Sequence, residues 1–441
     1  MRFLQPAKMT IPGGKFVRQI RIAAISGMAA LLPVLAAAAD TYITAERLLD
    51  VRAGKYLEKP AILVRDGKIV DVKTQAQLPA PADAKRIDLA GLTLLPGLID
   101  MHVHMDSDPT YGGYTYLQFT DRFWSMIMVP QARRTLDAGF TTVRNLGASD
   151  WNDVGLRQAI EAGKVIGPRV VTAGYSFGST GGHCDRTYLP PSFKASNPYS
   201  FDSPDEARKS VRAVRKYGAQ VIKICATGGV FSRNTEPGQQ QVSLAEMKTI
   251  VEEARMQGLQ VAAHAHGTSG IKDAIRAGVN TIEHASLIDD EGIALAKQHG
   301  AWLSMDIYNG TYTALEGKKN GVLEENLKKD RDITDLQREN FRKAVAAGAK
   351  MVFGTDAGIY PHGDNAKQFA VMVKYGMTPL QAIQAATLNA SQALARDDVG
   401  IVEKGRYADL VGVKGDPLKD VTVLETVAAV VKGGEVIPPA R

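Results

Sequence analysis

The chain has 441 residues, 45% hydrophobic and 23% charged, enough for one large domain and a smaller one, and neither disordered nor fibrous in composition. Its formal charge of +6 is mostly N-terminal: residues 1–39 hold Arg2, Lys8, Lys15, Arg18 and Arg21 and no acid, leaving 6 − 5 = +1 for the rest. That near-neutral remainder excludes an extended basic surface for nucleic acid.

Taken in chain order, the first element is an apolar stretch from Ile22 to Leu35, preceded by basic residues and followed by four alanines, Ala36 to Ala39. It reads as a secretory signal over residues 1–39, cut before or near Asp40, with Met9 as an alternative start. The run is shorter than the roughly 20 residues that span a bilayer. The expectation is an exported protein, periplasmic or secreted, with no membrane segment once mature. Export permits disulfides, but Cys184 and Cys225 are the two cysteines and lie in different segments. They read as two buried free thiols.

Short alternating strands follow at 41–45, 61–64 and 68–72, with Arg65-Asp66-Gly67-Lys68 as a hairpin turn, and 92–95 leads onward. The same style returns at 408–413 and 427–431. Residues 40–93 plus 401–441 therefore predict a small composite β-sandwich built from both termini. Residues 94–400 alternate. Strands are expected at 98–103, 141–145, 169–173, 221–225, 260–264, 280–283, 301–305 and 351–355, with amphipathic helices such as 204–217, 244–257, 270–277 and 291–298 between them. Glycines 139, 218, 258, 278, 300 and 348 stand where helices end. Eight strand–helix units in about 300 residues predict an α/β fold, a (β/α)8 TIM barrel. An open doubly wound sheet should carry a glycine-rich phosphate turn, and none is found.

Barrel chemistry sits at the C-terminal strand ends. There the first strand carries His102 and His104, which project alike because residues i and i+2 share a face. The fourth places Lys223 inside an apolar run, where an ammonium is costly unless paired or neutralised; with its pKa depressed, such a lysine can take up CO2 to give an anionic carbamate. The fifth ends in His264 and His266, the sixth in Glu283 and His284, the eighth in Asp356. Imidazoles and carboxylates in such a cluster are metal ligands by type. His264 and His266 are equivalent by parity, and the spacing leaves the ligand open between them.

The segments Pro96–His104, Ile222–Ile224, Ala263–Gly267, Ile282–Ala285 and Gly354–Ala357 resemble those of the amidohydrolase superfamily. More narrowly, the chain is similar to the imidazolonepropionase-like group of Xaa-Pro and Xaa-Arg/Lys dipeptidases, which the ochratoxin-hydrolysing amidases also resemble. The likeness runs from about Thr41 to the C-terminus and includes Ala408–Val411 in the terminal β unit. It implies a binuclear centre of two divalent ions, usually zinc. His102 and His104 match the ligands of the more buried ion, Lys223 as a carbamate the bridge, and His264 and His284 the ligands of the second. His264 is preferred over His266 because the family's fifth-strand histidine stands twenty residues before the sixth-strand one. Asp356 matches the carboxylate that binds metal and shuttles the proton.

The expected reaction is hydrolysis of an amide to release a C-terminal amino acid from a dipeptide or an N-acyl amino acid, ochratoxin-like aryl amides included. His183, in Ser179–His183, is the candidate helper for the tetrahedral charge. His266, Arg186, Tyr188, Arg233, Tyr308, Tyr360 and His362 are candidate substrate contacts; arginine and tyrosine suit a terminal carboxylate. Asp306 after the seventh strand could meet a cationic group or bind backbone amides. The Tyr- and Gly-rich loop 106–123 suits a hydrophobic acyl group. Two other readings are a cyclic-amide hydrolase or deaminase of the same superfamily, and a non-catalytic periplasmic metal- or solute-binding protein. Lys223 argues against a deaminase, and Asp356 against the binding protein. The partner is a small molecule, not nucleic acid; a homo-oligomer is compatible with the chain.

Overall fold

The computed structural model describes residues 40–439. The expected signal, residues 1–39, lies outside them. Strands β1 (Thr41–Asp50), β2 (Lys55–Glu58), β3 (Pro60–Arg65), β4 (Lys68–Thr74) and β5 (Lys85–Pro96) open the chain. β6 (Leu98–Val103), β7 (Phe140–Asn145), β8 (Arg169–Thr172), β9 (Val221–Cys225), β10 (Gln260–Ala265), β11 (Thr281–His284), β12 (Trp302–Ser304) and β13 (Met351–Val352) alternate with helices. β14 (Leu410–Val413), β15 (Val427–Lys432) and β16 (Glu435–Val436) close it.

The outer strands form one hydrogen-bonded path, β16-β15-β14-β5-β1-β3-β4, with β2 paired to β1. Both ends of the chain thus meet in one sheet, where Leu95 of β5 stands opposite Val411 of β14. The path bends back on itself: Ala408 N donates to Gly67 O and Ile69 N to Arg406 O, both at 2.8–2.9 Å. It encloses a core of its own, Ile43, Ile62, Val64, Leu94 and Leu410 among others. The β3–β4 turn at Asp66-Gly67 has φ of 49° and 75°, the pair of left-handed residues that a two-residue hairpin of this twist demands.

The eight middle strands close into a parallel barrel. β6, β7 and β8 pair in that order, as do β9 to β13. Two parallel bridges join these arcs: Phe177 to Ile224 after β8, and Val103 to Ala357 after β13. The seventh and eighth strands are shorter than their sequence suggests. Beyond Val352 the backbone still runs beside β6, with Met101 N donating to Phe353 O at 2.8 Å and Asp356 N to His102 O at 2.7 Å. Asp356 itself has φ of 57°, which ends regular pairing there. Gly354 cannot be larger, since a Cβ would lie 2.2 Å from Ser304 Oγ.

Helices cover the barrel as their patterning requires. Pro204–Lys216 is capped by Ser203, with Ala207, Val211 and Val214 buried. Leu244–Met256 starts with a capping box of Ser243 and Glu246 and buries Met247, Ile250 and Ala254. A 23-residue helix, Glu324–Ala346, lies between β12 and β13 and turns Asp330, Ile333 and Gln337 inward. Among the described residues no helix is long and apolar enough to cross a membrane.

Candidate metal centre

Ile222 and Ile224 pack into the main core, so Lys223 between them points into the barrel, where it is 2% exposed. The same alternation turns His102 and His264 inward. The rings gather closely: His102 and His284 centroids lie 5.1 Å apart, and His264, His266 and His284 are each 4.6 Å from one another. Donor atoms of His264, His266 and His284, and separately of His102, His284 and Asp356, lie within 4.8 Å of one another. Asp356 Oδ1 is 3.2 Å from His104 Nε2 and 3.4 Å from His102 Nε2. His284 (φ 68°) and Asp356 both hold left-handed backbone, uncommon for such residues and a form of strain that collects at working sites.

Behind these groups stands a layer that fixes the rings. Glu283 Oε2 lies 3.1 Å from His102 Nδ1, while its other oxygen accepts from buried Arg144 at 2.8 Å. Asp306 takes His284 Nδ1 at 2.9 Å and is held by Gln337 at 3.0 Å and Asn309 at 2.6 Å. Ser286 Oγ meets His266 Nδ1 at 2.8 Å, and Ser232 Oγ meets His183 Nδ1 at 2.8 Å. Such contacts leave the opposite ring nitrogen free for a ligand's role.

The electrostatics match. Burial pushes the Lys223 ammonium down to about 8, against the pull of Glu283 and Asp356. Its Nζ is 3.3 Å from His102 Nε2, and no carboxylate stands within ion-pair distance among the described residues. Burial drives His102 to about 4 and His183 to about 3, keeping both neutral near pH 7. Burial raises Asp356, but the imidazoles of His102 and His104 outweigh it and hold its carboxyl well below the usual range. Imidazoles, an anion and an unpaired lysine form a donor set that fits divalent metal ions. The cluster lines a cavity of about 340 Å³.

The profile of the Amidohydrolase family matches residues 93–437. The chain belongs to the amidohydrolase family. The ochratoxinase of Aspergillus niger is 32% identical over 419 residues, covering 87% of this chain and 83% of that protein. Among solved structures, a Xaa-Pro dipeptidase with bound methionine in the active site superposes with a TM-score of 0.85 at 35% identity, covering 91% of this chain and all of that one. A prolidase complexed with N-methylphosphonate-L-proline gives 0.82 at 30% identity, covering 90% and 99%. This amidohydrolase therefore shares its relatives' barrel and terminal β unit.

The remaining expected residues scatter. His183 joins the cavity, stacked on His264 at 4.1 Å. Arg186 lines it too, and also an adjoining aromatic cavity of about 610 Å³ that takes in Tyr188 and the loop from Asp106 to Trp124. Tyr188 donates to Asn326 at 3.1 Å. Arg233 is turned away, paired with Glu325 at 3.0 Å and bonded to the Tyr114 hydroxyl. Tyr360 is fully buried against Tyr308, and neither lines the cavity. His362 is buried between Thr135 and the carbonyl of His104, where it braces the first strand.

The reading of Cys184 and Cys225 as free thiols is corrected: they form a disulfide. It joins the residue after His183 to the end of β9, two residues beyond Lys223. The loop after β8 folds over the barrel mouth and brings the two together, which their 41-residue separation does not reveal. Arg144, Gln337 and Asn309 are functional neighbours that no motif marks. Arg144 alone left a signal, a basic residue inside a predicted apolar strand.

Proposed function

We propose that the protein is a metal-dependent amidohydrolase that cleaves an amide bond to release a C-terminal amino acid from a dipeptide or an N-acyl amino acid. The observation that carries it is the gathering of His102, His104, His264, His284 and the Asp356 carboxylate around one cavity that a buried Lys223 without a carboxylate partner also lines. His102, His104 and Asp356 would hold one ion, His264 and His284 the other. Lys223 would lie between them as a carbamate, its neutral amine adding to the carbon of CO2 and releasing a proton. Two divalent ions there, zinc by type, would supply a water acidified to near neutrality and a polarised amide carbonyl.

The chain's own groups do the rest. Asp356 takes the attacking water's proton at a carboxylate oxygen and delivers it to the departing amine. His183, kept neutral by burial, offers Nε2 to the oxygen that gains charge at the tetrahedral stage. Asp306 and Glu283 hold two imidazoles in place throughout. Arg186, whose guanidinium makes a single hydrogen bond among the described residues, to Ser149 Oγ at 3.2 Å, is free to clamp a carboxylate. The likeness to a Xaa-Pro dipeptidase and to an ochratoxinase supports this substrate class. The Cys184–Cys225 disulfide supports export to an oxidising compartment.

The test is a library of dipeptides and N-acyl-phenylalanine conjugates, read by released amino acid. The Asp356→Asn variant should lose about 10²–10⁴-fold in kcat while melting like the wild type. Activity confined to ring-opening substrates, or unchanged turnover in Asp356→Asn, would contradict the proposal.

A further inference from the structure

Five acids line the cavity: Asp106, Asp185, Asp306, Asp330 and Asp356. Four are already engaged. Asp106 accepts from Ser149 N at 2.8 Å, and Asp185 from Asn197 N at 2.7 Å and Gly181 N at 2.8 Å. Asp306 holds His284 at 2.9 Å, and Asp356 lies 3.2 Å from His104. Asp330 is different. It is 8% exposed, yet among the described residues its carboxylate receives no hydrogen bond and pairs with no cation. The arginines nearby are committed elsewhere, Arg331 to Glu324 and Arg338 to Thr311, both at 2.6 Å.

A largely buried carboxylate without a protein partner is a cost to the fold, and one lining a cavity is explained by a cation that arrives with the ligand. Arg186 lines the same cavity. It follows the third barrel strand, whereas Asp330 lies on the helix between the seventh and eighth, whose first turns reach over to Tyr188 and Val230 through Asn326 at 3.1 and 2.6 Å. Apart from Lys223, Arg186 is the cation lining this cavity. The cavity that holds the imidazole cluster thus also holds one cation and one anion that have no charged partner among the described residues.

We propose that Asp330 receives the free α-ammonium of a dipeptide and so selects zwitterionic dipeptides over N-acyl amino acids. This rests on the amide-hydrolase reading above and narrows its substrate class. With the dipeptide carboxylate at Arg186 and the ammonium at Asp330, the amide bond lies in the cavity that the imidazoles line. An uncharged acyl group in place of the amine leaves Asp330 buried with no partner, a penalty that discriminates strongly.

The experiment compares Ala-X with isobutyryl-X, which carries a methyl group in place of the ammonium, for X proline, methionine and phenylalanine. The wild type should prefer Ala-X by about tenfold or more in kcat/KM. In Asp330→Asn and Asp330→Ser that preference should collapse to about threefold or less, with both variants shown folded by thermal melting. If Ala-X and isobutyryl-X are both cleaved and their ratio is the same in wild type and variants, the role of Asp330 is overturned while the amide-hydrolase reading stands. If neither pair releases amino acid, both readings fall.

Discussion

At Asp330 the stability cost of a functional residue can be measured. Burial, then the nearby Asp306, raises its carboxyl to about 6, against about 3.9 in an unfolded chain. For an acid raised in this way, the folded and unfolded states are equally protonated below about pH 3, and nothing is lost there. As pH rises from about 3 to 6 the unfolded chain ionises first, so the wild type loses stability, by no more than about 3 kcal/mol above pH 6. Asp330→Asn has no such loss. Denaturant unfolding should show the variant gaining about 1–3 kcal/mol relative to wild type between about pH 3 and pH 7.5; a variant that gains nothing over this range would contradict this. A residue that weakens its own fold is expected where binding needs it. The same contrast explains what could be read from the sequence. His102, His104, Lys223, His264, His284 and Asp356 stand out because titratable groups at apolar strand ends are improbable. Asp330 and Gln337 sit on one face of a long charged helix, indistinguishable from its solvated residues until the helix is placed.

The elements repeat that division. All eight barrel strands are visible as apolar runs broken by glycine, and β6 and β9 have the bounds the pattern suggests, whereas the short, exposed β2 and β16 and the first half of β5 leave no such run. Loops were less legible, because their course depends on what they pack against. Tyr360 and His362 were expected at the mouth, but one is core and the other braces the carbonyl of His104. The loop after β8 is the clearest case, since its disulfide to β9 follows from a path no local pattern encodes. That bridge closes a 41-residue separation, for which chain entropy gives about 2–4 kcal/mol. Replacing Cys184 and Cys225 together with serine should lower the melting temperature by several degrees and reduce kcat, because the His183 loop loses its tether to the Lys223 strand. Reductant should reproduce both effects in the wild type and neither in the double variant. An unchanged melt and kcat would show that the tether is dispensable.

For the whole molecule, the barrel and terminal sheet are joined by charge as well as by β5 running into β6. Arg169 of β8 makes a paired contact with Asp409 at 2.8 and 3.1 Å and stacks over Tyr407 at 3.5 Å. Asp100 ties the barrel's first and last strands together through Thr355 at 2.6 Å and Asn365 at 2.7 Å. Closure of the ring is what brings residues from 102 to 356 to one point, and the functional account depends on what that point holds. Elemental analysis of the active protein tests it most directly. The account predicts about two divalent metal ions per chain, lost together with amino-acid release when a chelator strips them. Full hydrolytic activity in protein with no bound metal would contradict it.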